Sequence, residues 1–169
     1  MLQLFLSNNL QTLIKMSKDV PDDEKPFYQA LMSPFLLKMQ VNQTVNLTFS
    51  TIPWAAAKMR FEENFGDREY FMENIMTALL FHLHFPELHT AEAIWKSFVN
   101  FCNLYSFYRF MSVVSCREGS PADRDTLFQH IVFASRALLH NGKRQRSLRD
   151  EIFEHDSTTL AHMAVLLSA

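Results

Sequence analysis

Three glycines in a chain of 169 residues leave few positions for the left-handed backbone that tight hairpin turns demand. Turn-rich β architecture is disfavoured on that ground alone, and the chain must reverse direction mainly through helix caps and prolines. Sixteen phenylalanines, four tyrosines and two tryptophans supply the bulk for an apolar core, and the length suits one domain able to bury it. The expected fold is all-α: a single helical domain over residues 1–169, a bundle of about seven helices.

The punctuation supports this. Residues 2–17 and 27–40 read as two helices, with Pro26 at a first-turn position and Pro34 kinking or ending the second. Val45, Leu47 and Phe49 then alternate with polar neighbours, so 41–51 reads as one short extended segment with no obvious partner. Pro53 is expected to open a helix that Gly66 ends, and Asp67 to cap another that runs to about His84, before Phe85-Pro86. Thr90 caps a long aromatic helix to about Val114. Ser120-Pro121 reads as a cap plus first-turn proline, for a helix ending at Asn141-Gly142.

Composition excludes several functions. A formal net charge of −2 argues against a nucleic-acid partner. Two cysteines are too few for a disulfide framework or a zinc site, and fit a reducing cytoplasm. No run approaches the roughly 18 apolar residues a membrane span needs, and the N-terminus lacks the basic start of a secretion signal. The glycine count also leaves no phosphate loop or dinucleotide fingerprint. His82 and His84 lie too far apart around a helix to share a metal, so no metal ligands are assigned.

What remains is polarity on apolar faces. On the helix after Ser120, one stripe collects Leu127, Phe128, Ile131, Val132, Leu138 and Leu139, with Ser135 in its middle and Gln129, Arg136 and His140 along its flank. Ser135 either lets a neighbouring helix approach while returning its hydroxyl to a backbone carbonyl, or does chemistry. His140 in the last turn suits the helix dipole. On the Thr90 helix, Arg109 shares the stripe of Phe98, Phe101, Cys102, Tyr105 and Tyr108. A guanidinium there must snorkel, stack on an aromatic ring or meet a carboxylate, with Glu69 and Glu73 as candidates, and the sharper reading is an anchor for an anionic ligand group. Asn74 and His82 are expected to turn towards Phe71, Ile75 and Ala78. Cys102 should be inert in the aromatic core, and Cys116, beside Arg117, mildly activated.

Glu73-Asn74, an apolar run to Phe85-Pro86, an aromatic helix bearing Arg109, then Ser135-Arg136 and His140-Asn141 follow one another in an order that resembles the C-terminal helical region of the flagellin lysine-N-methylase family, over residues 67–145. The resemblance implies transfer of a methyl group from S-adenosylmethionine to lysine amines of flagellin. It implies candidate catalytic roles for Glu73, Arg109, Ser135, Arg136 and His140, and donor contacts from Arg109, Tyr105 and Tyr108. It also implies an iron–sulfur cluster in a cysteine-rich N-terminal region, which this sequence lacks; the chain is then expected to be the C-terminal part of a larger enzyme. Leu139 stands where the family tends to carry Glu. Self-association through an uncovered interface is a further expectation. The alternative is a non-catalytic helical domain that docks a protein or senses a ligand through a Phe- and Met-rich surface.

Overall fold

The computed structural model describes residues 6, 9–14, 20, 22–36, 47–66, 70–83, 90–139, 153 and 158–168. Among them there is no strand. The elements are α1 (Lys25–Leu36), α2 (Leu47–Phe65), α3 (Tyr70–His82), α4 (Ala91–Val114), α5 (Arg124–Ala134), a π-helical segment (Ser135–Leu139) and α6 (Leu160–Ser168). Residues 9–14 are helical as well.

Helix α4 is the hub. Thr90 caps it as expected, its hydroxyl accepting the amide of Ala93 at 3.2 Å. Glu92 and Lys96 pair one turn apart at its exposed start. From Val99 onward it is buried around most of its circumference, through Phe101, Leu104, Phe107, Phe110 and Val113, as befits a helix that is apolar all round. Its buried serines return their hydroxyls to α4 itself or to the chain beside it: Ser112 donates to the Tyr108 carbonyl at 2.8 Å, and Ser106 accepts from Asn9 Nδ2 at 2.9 Å. Helices α2, α3, α5 and α6 all pack on α4, while α1 packs on α2. Trp54 of α2, 1 % exposed, stacks on Phe110 with ring centroids 5.6 Å apart. The Tyr28 hydroxyl of α1 donates to the Leu13 carbonyl at 2.7 Å, tying α1 to the N-terminal stretch.

Four expectations change. Residues 47–51 belong to α2, so the extended segment fails there, and 41–46 lie outside the described residues. Pro53 sits inside that helix instead of opening it; the buried anchor of Trp54 outweighs local alternation and proline punctuation. The cap of α5 is Asp123, whose side chain accepts the Thr126 amide at 2.8 Å, and Ser120-Pro121 belongs to the preceding turn. Asn74 and His82 are exposed instead of facing the core. Gly66 does end α2: a Cβ there would lie 2.4 Å from the Glu62 carbonyl oxygen. Asp67, His84, Phe85 and Pro86 lie outside the described residues.

Candidate functional site

The C-terminal half of α4 carries Tyr105, Tyr108 and Arg109, and the π segment that follows α5 carries Ser135 and Arg136. A π turn inserts a residue into the helical ladder and often marks functional sites. Here it starts at Ser135, whose hydroxyl donates to the Ile131 carbonyl at 2.9 Å. With that proton committed, the Tyr108 hydroxyl, 2.7 Å away, is the donor to Ser135 Oγ. Tyr108 is buried, and burial raises its phenol above the ordinary range against the lowering pull of the Ser135 bond. Ser135 thus returns its hydroxyl to the backbone and also joins α5 to α4.

Arg109 and Tyr105 lie one turn apart and are both half-buried. No carboxylate meets Arg109 among the described residues. Its Nη1 donates to the Leu167 carbonyl in the last turn of α6, at 2.8 Å, where the helix dipole favours a cation. Glu73 is exposed on α3 and does not pair with it, and Glu69 lies outside the described residues. The ring of Tyr105 packs beside Phe101 at 6.1 Å. Arg136 points to the surface and pairs with Glu24 at 3.0 Å, bracing α1 against the end of α5. His140 lies outside the described residues. The structure therefore joins Tyr108 to Ser135 and sets Tyr105 beside Arg109, but leaves Glu73 and Arg136 apart from that group.

A polar group that the helical wheel hid lies nearby. His130 is 1 % exposed. Its Nδ1 lies 2.8 Å from the Thr126 carbonyl and its Nε2 3.0 Å from Arg117 Nη1. Since a carbonyl and a guanidinium can only accept and donate respectively, the ring is neutral with its proton on Nδ1. Burial, aided by the Arg117 charge and opposed by the Thr126 bond, depresses it from 6.5 to about 4. Phe27 of α1 meets the ring edge-on at 4.9 Å. Arg117 also donates to the Val114 carbonyl, while Arg60 of α2 grips the carbonyls of Arg117 and Ser120 at 2.6 and 2.8 Å. The two guanidiniums close the C-terminal end of α4, where orphan carbonyls collect.

His130 escaped the sequence because the expected apolar stripe was centred near Ile131 and Ser135. The buried set is Leu127, His130, Phe133, Ala134 and Leu138, and Phe128 is 68 % exposed; the true stripe is turned by roughly 90°. A histidine with both nitrogens satisfied can sit inside, so the stripe could not be located from apolar residues alone.

The thiols are quiet. Burial pushes Cys102 up to about 12, as expected of a cysteine in the aromatic core. Cys116 is also raised by burial, with Ser115 and Arg60 opposing too weakly to reverse it, so the activation expected from Arg117 is not realised. No cluster of His, Cys, Asp and Glu able to hold a metal occurs among the described residues. An iron–sulfur cluster does not fit two buried, protonated thiols at separate positions of one helix and its end. No helix among the described residues is long and apolar enough to cross a membrane.

No curated protein and no solved structure matches the chain. The family profile described as the FliB lysine N-methylase C-terminal domain matches residues 3–166, wider than the 67–145 over which the motifs run. With nearly its whole length matched, the chain belongs to the FliB lysine N-methylase C-terminal domain family.

Proposed function

We propose that this chain serves an S-adenosylmethionine-dependent protein-lysine N-methyltransferase of flagellin, contributing donor or substrate binding in the cytoplasm. The observation that carries the reading is family membership across residues 3–166. Methylating a lysine demands a neutral amine, an aligned methyl donor and exclusion of water. S-adenosylmethionine, when bound, supplies an electrophilic methyl on a sulfonium and carries a carboxylate and an amine. Tyr105 and Arg109 fit those groups. Arg109 spends one guanidinium donor on Leu167, which leaves others for a carboxylate, and the half-buried Tyr105 offers a ring face to a cation. Tyr108 is committed to the core and to Ser135, so these two residues position the α4–α5 wall and do not grip the donor. Arg136 lies within the π segment and would flank the same wall, while a role for His140 rests on the family resemblance alone.

Calorimetric titration with S-adenosylmethionine, and with S-adenosylhomocysteine as second ligand, tests the reading. Saturable binding that is lost in Arg109→Ala with helicity preserved supports a donor site on α4. Binding unaffected by Arg109→Ala and by Arg136→Ala refutes these roles. A folded chain that binds neither ligand refutes a donor site here and leaves the chain to recognise protein or to support a catalytic domain encoded elsewhere.

A further inference from the structure

Helix α3 is rich in apolar residues, yet Leu79 is its single buried side chain. Tyr70, Glu73, Asn74, Thr77 and Phe81 are all exposed, and at 100° per residue they fall within about 100° of one another. Tyr70 is 59 % and Phe81 78 % exposed. Large exposed apolar side chains aligned on one helix face mark an interaction surface more often than scattered ones do. Between them Glu73 is the only ionisable side chain of the stripe, and no cation pairs with it among the described residues. Thr77 turns its hydroxyl back to the Glu73 carbonyl at 2.8 Å, so the middle of the stripe is small and self-satisfied. Recognition therefore lies at its ends: a carboxylate one turn from a tyrosine, and a phenylalanine about 12 Å further along.

We infer that this face of α3 docks an amphipathic helix of the protein partner that carries a lysine two turns from a large apolar residue. The ammonium meets Glu73 with Tyr70 beside it, a carboxylate and a ring face being complementary to one cation. The apolar residue, seven or eight positions away on the partner, covers Phe81. Charge selects this occupant over a second copy of the chain, because the stripe offers no cation of its own and a two-fold pairing of the same face would leave both Glu73 carboxylates without a counter-charge. The inference deepens the lysine N-methylase reading, on which it rests for the identity of the partner as protein substrate; the chemistry of the face is argued independently.

The test is fluorescence anisotropy on the full chain, with a synthetic helical peptide bearing one lysine and a leucine seven positions on. Saturable binding is expected. Glu73→Gln should weaken it about fivefold or less and reduce its salt sensitivity, and Phe81→Ala should weaken it about tenfold. Replacing the peptide lysine with norleucine should cost the same factor as Glu73→Gln, and the two changes together should cost little more than either alone. Both protein substitutions are on exposed residues, and circular dichroism checks that helicity is retained. No binding, equal binding by the norleucine peptide, or wild-type affinity in both variants overturns the inference. So does concentration-dependent self-association, in sedimentation, that Phe81→Ala abolishes. Peptide coupling through Glu73 in a chain that binds neither S-adenosylmethionine nor S-adenosylhomocysteine overturns the donor-binding reading alone; donor binding in a chain whose peptide affinity ignores both substitutions overturns the docking face alone.

Discussion

Lowering the pH from 7 to 5 should destabilise this domain by an amount that one residue dominates. His130 is neutral in the fold, depressed from 6.5 to about 4 chiefly by burial. Between those values the unfolded chain binds a proton that the folded chain refuses, so stability falls as pH falls through the window from 6.5 to 4. The contribution is intact above 6.5 and lost towards 4. Integrating the two binding curves gives a loss of about 2 kcal/mol between pH 7 and pH 5, and about 3 kcal/mol by pH 4. For a chain of this size 2 kcal/mol corresponds to roughly 4–8 °C in Tm. Urea unfolding followed by circular dichroism at half-unit steps of pH measures the slope. His130→Gln lowers stability at pH 7 but should remove most of the dependence between pH 7 and 5, where carboxylates have scarcely begun to titrate. A folded-state His130 resonance titrating at 6 or above, or an unchanged pH slope in His130→Gln, would refute the reasoning.

The remaining predictions concern groups described above. Ser135→Ala leaves the Tyr108 phenol without its acceptor and should cost about 1–2 kcal/mol; a double-mutant cycle with Tyr108→Phe, by urea unfolding, should show coupling of about 1 kcal/mol, and additivity would mean the bond carries no stability. Cys102 and Cys116 should react with an aromatic disulfide reagent at pH 8 only after unfolding, since both thiols are buried and raised. Rapid stoichiometric labelling of the native chain would contradict their placement.

Much of this architecture was legible in the residues. Thr90 followed by a long aromatic run defines α4 to within a residue at either end, because a cap and an apolar helix are both local signals. The bond returned by Ser135 to Ile131 and the inertness of Cys102 follow from the same periodicity. What failed depends on packing between distant segments. Leu47 and Phe49 alternate like a strand, yet belong to a helix anchored by Trp54 against Phe110. The pairing of Arg109 with a carbonyl of α6, 58 residues away, has no local signature. His130 looks like a surface histidine until Arg117 and Thr126 are seen to satisfy both its nitrogens. Of the candidate site, the members on α4 and Ser135 could be named one by one, whereas the bond of Tyr108 to Ser135 and the pairing of Arg136 with Glu24 emerged only from the fold.

The position of α4 has a consequence for how the domain can be divided. Four helices lean on one shared element, and among the described residues each packs more closely on it than on any other helix. A break in the chain before Thr90 or after Val114 therefore leaves one piece holding the hub and the other holding only its wrapping. Neither half owns a complete interior.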